Sequence, residues 1–239
     1  MSRNFEVLDS QETALGELML RRRQVLSLGL DVLEVKLADD FLMSSLFHVV
    51  EEALADLGLA EAAGEALDVV VGGLGLGYTA AAVLRNPRVR SLAVIEFLAP
   101  VIGWHRGGLV PLGATLTNDA RCRLLQADFF ASALSAEGFD PSRPGRKFDA
   151  VLLDIDHSPR DLLHGGNAAF YQPAGLQALA GHLVPGGIFG LWSDDPPDEE
   201  FMVALDAAFT EIRAHVVTFP NPLLEADSAS TVYVARRDE

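Results

Sequence analysis

One stretch limits the possible folds more than any other. Leu67, Val69, Val70 and Val71 make a short apolar run, Gly72-Gly73-Leu74-Gly75-Leu76-Gly77 follows at once, and an alanine-rich segment over 79–84 comes next. Such a run reads as a strand covered on both faces, as strands are in a parallel sheet. Gly73, Gly75 and Gly77 form G-x-G-x-G between that strand and a helix, so the backbone can closely approach a ligand at a helix N-terminus. A tight strand–helix turn with no ligand is the competing reading of the same glycines.

Beyond this stretch the chain alternates. Strands are expected over 92–96, 123–126, 150–154 and 188–192, and a helix over 172–183 is stopped by Pro185-Gly186-Gly187. A helix over 199–209 and strands over 212–218 and 231–235 close the chain. That order predicts a mostly parallel sheet with helices on both faces. The segment 131–147, with Pro141, Pro144 and Gly145, is expected to be a surface loop. Ahead of the alternation, two strands are expected over 13–20 and 31–37, joined through Arg21-Arg22-Arg23 and Gly29. A helix follows. Leu46, Val49, Val50, Ala53, Leu54 and Leu57 share one of its faces, Ser44 or Ser45 caps it and Gly58 ends it.

Charge narrows the partners. The 18 Lys and Arg stand against 34 Asp and Glu, a net charge of −16, which argues against nucleic-acid binding and fits a soluble protein or one whose ligand is cationic. Carboxylates such as Glu51-Glu52 and Asp198-Glu199-Glu200 are assigned to surface solvation. Cys122 is the single cysteine, so neither an intrachain disulfide nor a cysteine metal site is expected. His164 and His182 lack ligand spacing, and no metal is expected. No apolar run approaches the ~20 residues of a membrane helix, and residues 1–10 lack a signal-peptide core, so a cytoplasmic protein is expected.

In an open parallel sheet, ligands sit beyond the carboxyl ends of the strands. Glu96 ends the second strand about 20 residues past the glycines, where a carboxylate can accept both ribose hydroxyls; the alternative is a solvated strand end. Asp128 precedes Phe129-Phe130 and suits the exocyclic amine of an adenine, or else caps the next helix. The fourth strand delivers Asp154-Ile155-Asp156-His157, two carboxylates and an imidazole suited to proton transfer or amine binding. For Asp156 and His157 a polar capping loop is the competing reading. Trp192-Ser193-Asp194-Asp195 either borders the pocket or starts a helix.

These residues resemble the spermidine synthase (polyamine aminopropyltransferase) family, a branch of the class I methyltransferase fold. The most specific stretch spans 69–102: the glycine turn, Thr79-Ala80, Leu84-Arg85-Asn86-Pro87-Arg88-Val89, Val94-Ile95-Glu96 and Val101-Ile102. It resembles the family's "GGGDGGTARE…LKHPSVEKVTLVEID…VI". The segment 119–128 is similar to "DPRVxxxxxD", 148–154 to "YDVIIxD", and Ala169-Phe170-Tyr171 with 183–188 to "EFY…LKPGGIL".

The resemblance implies a Rossmann-like class I methyltransferase fold, a mostly parallel seven-stranded sheet over 45–239 behind a small N-terminal β region over 1–44. It implies that Gly73, Gly75 and Gly77 line decarboxylated S-adenosylmethionine or S-adenosylmethionine, with Glu96 on the ribose and Asp128 on the adenine. Asp154 would match the family's amine-deprotonating base, with Asp156, His157 and Tyr171 beside the substrate, and the protein would be a homodimer. The expected reaction is aminopropyl transfer to an amine, with a polyamine as the family's kind of substrate; the alternatives are methyl transfer to a small molecule and a degenerate, non-catalytic homologue. The amine side departs from the family. Leu76 replaces the Asp of the glycine motif, His157 falls on the second Asp of "DxxDP", and Asp39-Asp40-Phe41-Leu42-Met43-Ser44-Ser45 stands where "DExxYHE" would.

Overall fold

The computed structural model describes residues 4–238. The chain opens with an antiparallel sheet of four strands in sequential order, β1 (Phe5–Thr13), β2 (Gly16–Val25), β3 (Leu30–Leu37) and β4 (Asp40–Ser44). Two strands were expected here. β1 is missed because as an exposed edge it alternates charged and apolar side chains without a buried face, and β4 because it has only five residues. Arg21, Arg22 and Arg23, expected in a connection, lie within β2, where Arg21 and Arg23 both bond the buried Glu34 of β3.

Helix α1 (Val49–Glu61) follows, then β5 (Leu67–Gly72), α2 (Tyr78–Arg85), β6 (Val89–Glu96), α3 (Ala99–Gly107), α4 (Gly113–Thr117) and β7 (Cys122–Gln126). The start of α1 differs from expectation: His48 is its N-cap residue, and Leu46 precedes the helix. Nor does Gly58 end it. Gly58 is buried within α1, where a Cβ would come within 2.7 Å of Leu152 Cδ2, so glycine serves close helix–sheet packing.

The second half contains α5 (Phe129–Leu134), β8 (Phe148–Leu153), a 3₁₀ turn at Gly165–Ala169, α6 (Pro173–Ala180), β9 (Leu183–Ser193), α7 (Glu199–Asp206), β10 (Thr210–Asn221) and β11 (Ala226–Arg236). Pro185-Gly186-Gly187 lies inside β9 rather than at a helix end, because α6 stops at Ala180. The segment expected as a surface loop begins within α5 and buries Phe139 and Asp140.

The large sheet has the order β10-β11-β9-β8-β5-β6-β7. β7, β6, β5, β8 and β9 are parallel, and β11 runs antiparallel to β9 and β10. Strand order reverses at β5, between β6 and β8, so a crevice opens beyond the carboxyl ends of β5 and β8. Alternation along β5 fills both faces. Val69 and Val71 join α1–α3 and the N-terminal sheet in one core; Val70 joins Phe129, Phe170 and Leu176 in the other. The N-terminal sheet is locked on by Leu18, Leu20 and Val35 in the first core and by the Trp104 Nε1 donor to Asp9 at 2.6 Å.

The opposite end of the sheet is closed by charge. Arg146 bridges Asp68 at 2.9 Å and Asp140 at 3.0 Å, and Arg123 also binds Asp140. Burial alone would push both carboxyls up; the arginine and serine hydrogen bonds outweigh it and hold both below the ordinary range. Arg146→Ala is expected to cost about 1.5–3 kcal/mol, because two buried carboxylates lose a shared charged partner while Arg90 still binds Asp68 and Arg123 still binds Asp140. Urea titration checks this; a loss below about 1 kcal/mol would show the network to be surface-like.

Candidate functional site

A cavity of about 710 Å³ opens at the crevice beyond β5 and β8 and is roofed by the N-terminal sheet. Gly73 stands at its floor with φ 92°, and a Cβ there would fall 2.0 Å from the Asp154 carbonyl oxygen, so only glycine allows the ends of β5 and β8 to approach. Gly75 also lines the cavity; Gly77 does not. Gly77 takes φ 94° as the N-cap residue of α2, and a Cβ there would fall 2.8 Å from His105 Cε1 and 2.9 Å from Leu116 Cδ1.

Glu96 ends β6 and lines the cavity with both carboxylate oxygens engaged. Oε2 accepts from Leu74 N at 3.0 Å and Oε1 from Leu98 N at 2.7 Å, so the residue fixes the glycine turn while facing the cavity. Burial raises its pKa, and these backbone donors oppose the rise. Asp128 lines the cavity and also caps α5, its Oδ1 accepting from Ala131 N at 3.0 Å. The helix-capping reading of Asp128 therefore holds, and the residue faces the cavity as well.

Asp154 follows β8 directly, its backbone N–H bonding Gly72 O at 2.8 Å. Thr79 on α2 donates to Oδ2 at 2.6 Å, orienting the carboxylate into the cavity. Desolvation pushes Asp154 up to about 6, against the Thr79 hydrogen bond. Its neighbours differ from expectation. Asp156 and Tyr171 lie behind the wall: Tyr171 donates to Asp156 Oδ2 at 2.8 Å, while Asn167 and the Leu163 backbone bind the remaining lone pairs. Neither residue lines the cavity. Asp156 instead pins the loop that carries His157, Leu163 and Asn167, which do.

Glu51 belongs to the site, not to the solvated surface. It lies in the first turn of α1 and faces Asp154, with Asp194 beyond. Burial first, then the charge of Asp154, pushes Glu51 up to about 8. Burial and the neighbouring Asp154 charge therefore both disfavour ionisation of Glu51. Beside them, His48 stacks on Tyr78 with ring centroids 4.3 Å apart. Trp192 Nε1 is buried without a hydrogen-bond partner in the same cavity. No local signal marks Glu51 in the sequence, since only the path of β4 into α1 brings it over the end of β8.

Glu51 carries a stability consequence. A carboxyl whose folded pKa exceeds its unfolded one binds extra protons when folded, so stability falls as pH rises from the ordinary Glu value of 4.5 toward about 8. Glu51→Gln is expected to melt above the parent at pH 8.5 and with it at pH 4. Coincident melting at both pH values would refute the burial of this charge.

The positions of β5, β6 and β8, the glycine turn and the roofing sheet can be set beside known structures. No protein-family model matches the chain. Spermidine synthase from Thermotoga maritima superposes with TM-score 0.72 at 16% identity, over 96% of this chain and 72% of that one. A spermidine synthase in complex with the transition state analogue AdoDATO gives 0.73 at 18% identity, over 96% and 73%. The fold is that of the spermidine synthases. The N-methyltransferase NodS from Bradyrhizobium japonicum WM9 shares the sheet more loosely, with TM-score 0.53 at 15% identity over 80% of this chain and 95% of that one. The spermidine synthase likeness thus extends over 96% of the chain and the NodS likeness over 80%.

Proposed function

We propose that the protein transfers an aminopropyl group from decarboxylated S-adenosylmethionine to an amine. The observation that carries this reading is the charge of the cavity. Glu51, Glu96, Asp128, Asp154 and Asp194 line it, with no lysine or arginine among the described residues of its wall. Decarboxylated S-adenosylmethionine carries a sulfonium and an ammonium and no carboxylate. Intact S-adenosylmethionine would bring its carboxylate among five acidic side chains with no lysine or arginine to pair it, an arrangement that costs desolvation without a permanent counter-charge.

In this reading Glu96 accepts from the ribose hydroxyls, Asp128 faces the adenine and the turn at Gly73 and Gly75 lies along the nucleoside. The acceptor nitrogen must be neutral to attack. Asp154, fixed by Thr79, takes its proton; the nitrogen lone pair forms the new N–C bond as the C–S bond breaks, and the electron pair leaves on sulfur as a neutral thioether. Incubation with decarboxylated S-adenosylmethionine and a mixture of primary amines is expected to release methylthioadenosine and to yield aminopropylated amine by mass spectrometry. Methylthio-free turnover, or a methylated product from S-adenosylmethionine alone, would reject the assignment in favour of methyl transfer.

A further inference from the structure

The cavity has two unlike walls. Asp154, Glu51 and Asp194 stand on the side of the large sheet and α1. The N-terminal sheet contributes Leu15, Leu18, Val35, Leu37, Phe41 and Met43, and none of its charged side chains reaches the cavity among the described residues. Alternation along the strands produces this separation. Leu18 pairs with Leu37 and Leu20 with Val35, facing inward, while Glu34 turns to the other face and is held by Arg21 and Arg23. Met43 latches this wall to the glycine turn, its sulfur 3.3 Å from the Leu76 backbone nitrogen that donates to it.

We infer that the acceptor is a primary amine with a single apolar stem, its nitrogen at the Asp154 end and its stem against the N-terminal sheet; this rests on the reading of the cavity as an adenosyl-sulfonium site. The cosubstrate's own cations are met by the carboxylates and its nucleoside by Glu96 and Asp128, which leaves the apolar wall to the acceptor. A second ammonium on that wall would be desolvated without a carboxylate from the N-terminal sheet to pair it. An alkyl or arylalkyl stem gains there from burial.

Calorimetric titration of 1-butylamine, 1-hexylamine, 1-octylamine and 1,4-diaminobutane tests the inference, in the free protein and in protein saturated with methylthioadenosine. Affinity is expected to rise by about fourfold per added methylene, with the diamine weaker than 1-butylamine. Phe41, at the exposed edge of the wall, supplies the variant: Phe41→Ala is expected to reduce the gain from hexyl to octyl at least twofold. A diamine that binds more tightly than the monoamine, or affinity independent of chain length, overturns the inference. An unchanged slope in Phe41→Ala overturns the placement of the stem. Failure of methylthioadenosine to bind removes the nucleoside assignment separately, because the amine series in the free protein still decides the stem.

Discussion

Asp154→Asn is expected to lower the rate of transfer by about 10²- to 10⁴-fold, the usual worth of a positioned general base. The substitution keeps the shape of the side chain and an oxygen for the Thr79 hydroxyl, which bonds Asp154 at 2.6 Å. Fold and nucleoside affinity should therefore survive while proton acceptance is lost. The pH profile supplies a second readout. Burial lifts Asp154 to about 6, and a base must be ionised to act, so kcat/KM of the parent should rise through about pH 6 to a plateau. The Asn variant should lack that limb. Turnover retained at the parental level would remove Asp154 as the base.

Glu96→Ala should weaken methylthioadenosine binding at least tenfold. Loss of both charge-assisted ribose bonds, at ~1.5 kcal/mol each, corresponds to roughly a hundredfold. The same carboxylate accepts from Leu74 and Leu98 backbone N–H groups, so its removal also frees the glycine turn. A 2′,3′-dideoxy analogue of methylthioadenosine separates the two effects. If the ribose contact is real, the parent loses affinity for the analogue, whereas the Ala variant distinguishes little between the two nucleosides. Equal discrimination in both proteins would place the ribose elsewhere.

The features legible in the sequence are those fixed by local order. Leu67, Val69, Val70 and Val71 announce a buried strand, and Gly73 follows where β5 and β8 must meet. Asp154 is readable for the same reason, since it ends the next parallel strand at the switch point. Glu51 is not. On its own helix it looks like an exposed first-turn acid beside Glu52, and only the fold of β4 over the crevice turns it toward Asp154. Asp156 and Tyr171 fail in the opposite sense: both belong to chemically suggestive stretches, yet they satisfy one another 2.8 Å apart behind the cavity wall. Composition is equally ambiguous until placed. The net charge of −16 says nothing of location, while five carboxylates around one cavity are a recognition pattern.

On the proposed function, this acid-lined cavity selects a dicationic adenosyl sulfonium. Parallel calorimetric titration of decarboxylated S-adenosylmethionine and S-adenosylmethionine into the same preparation tests it most directly. The decarboxylated form is expected to bind at least tenfold tighter; equal or tighter binding of intact S-adenosylmethionine would rule this selectivity out.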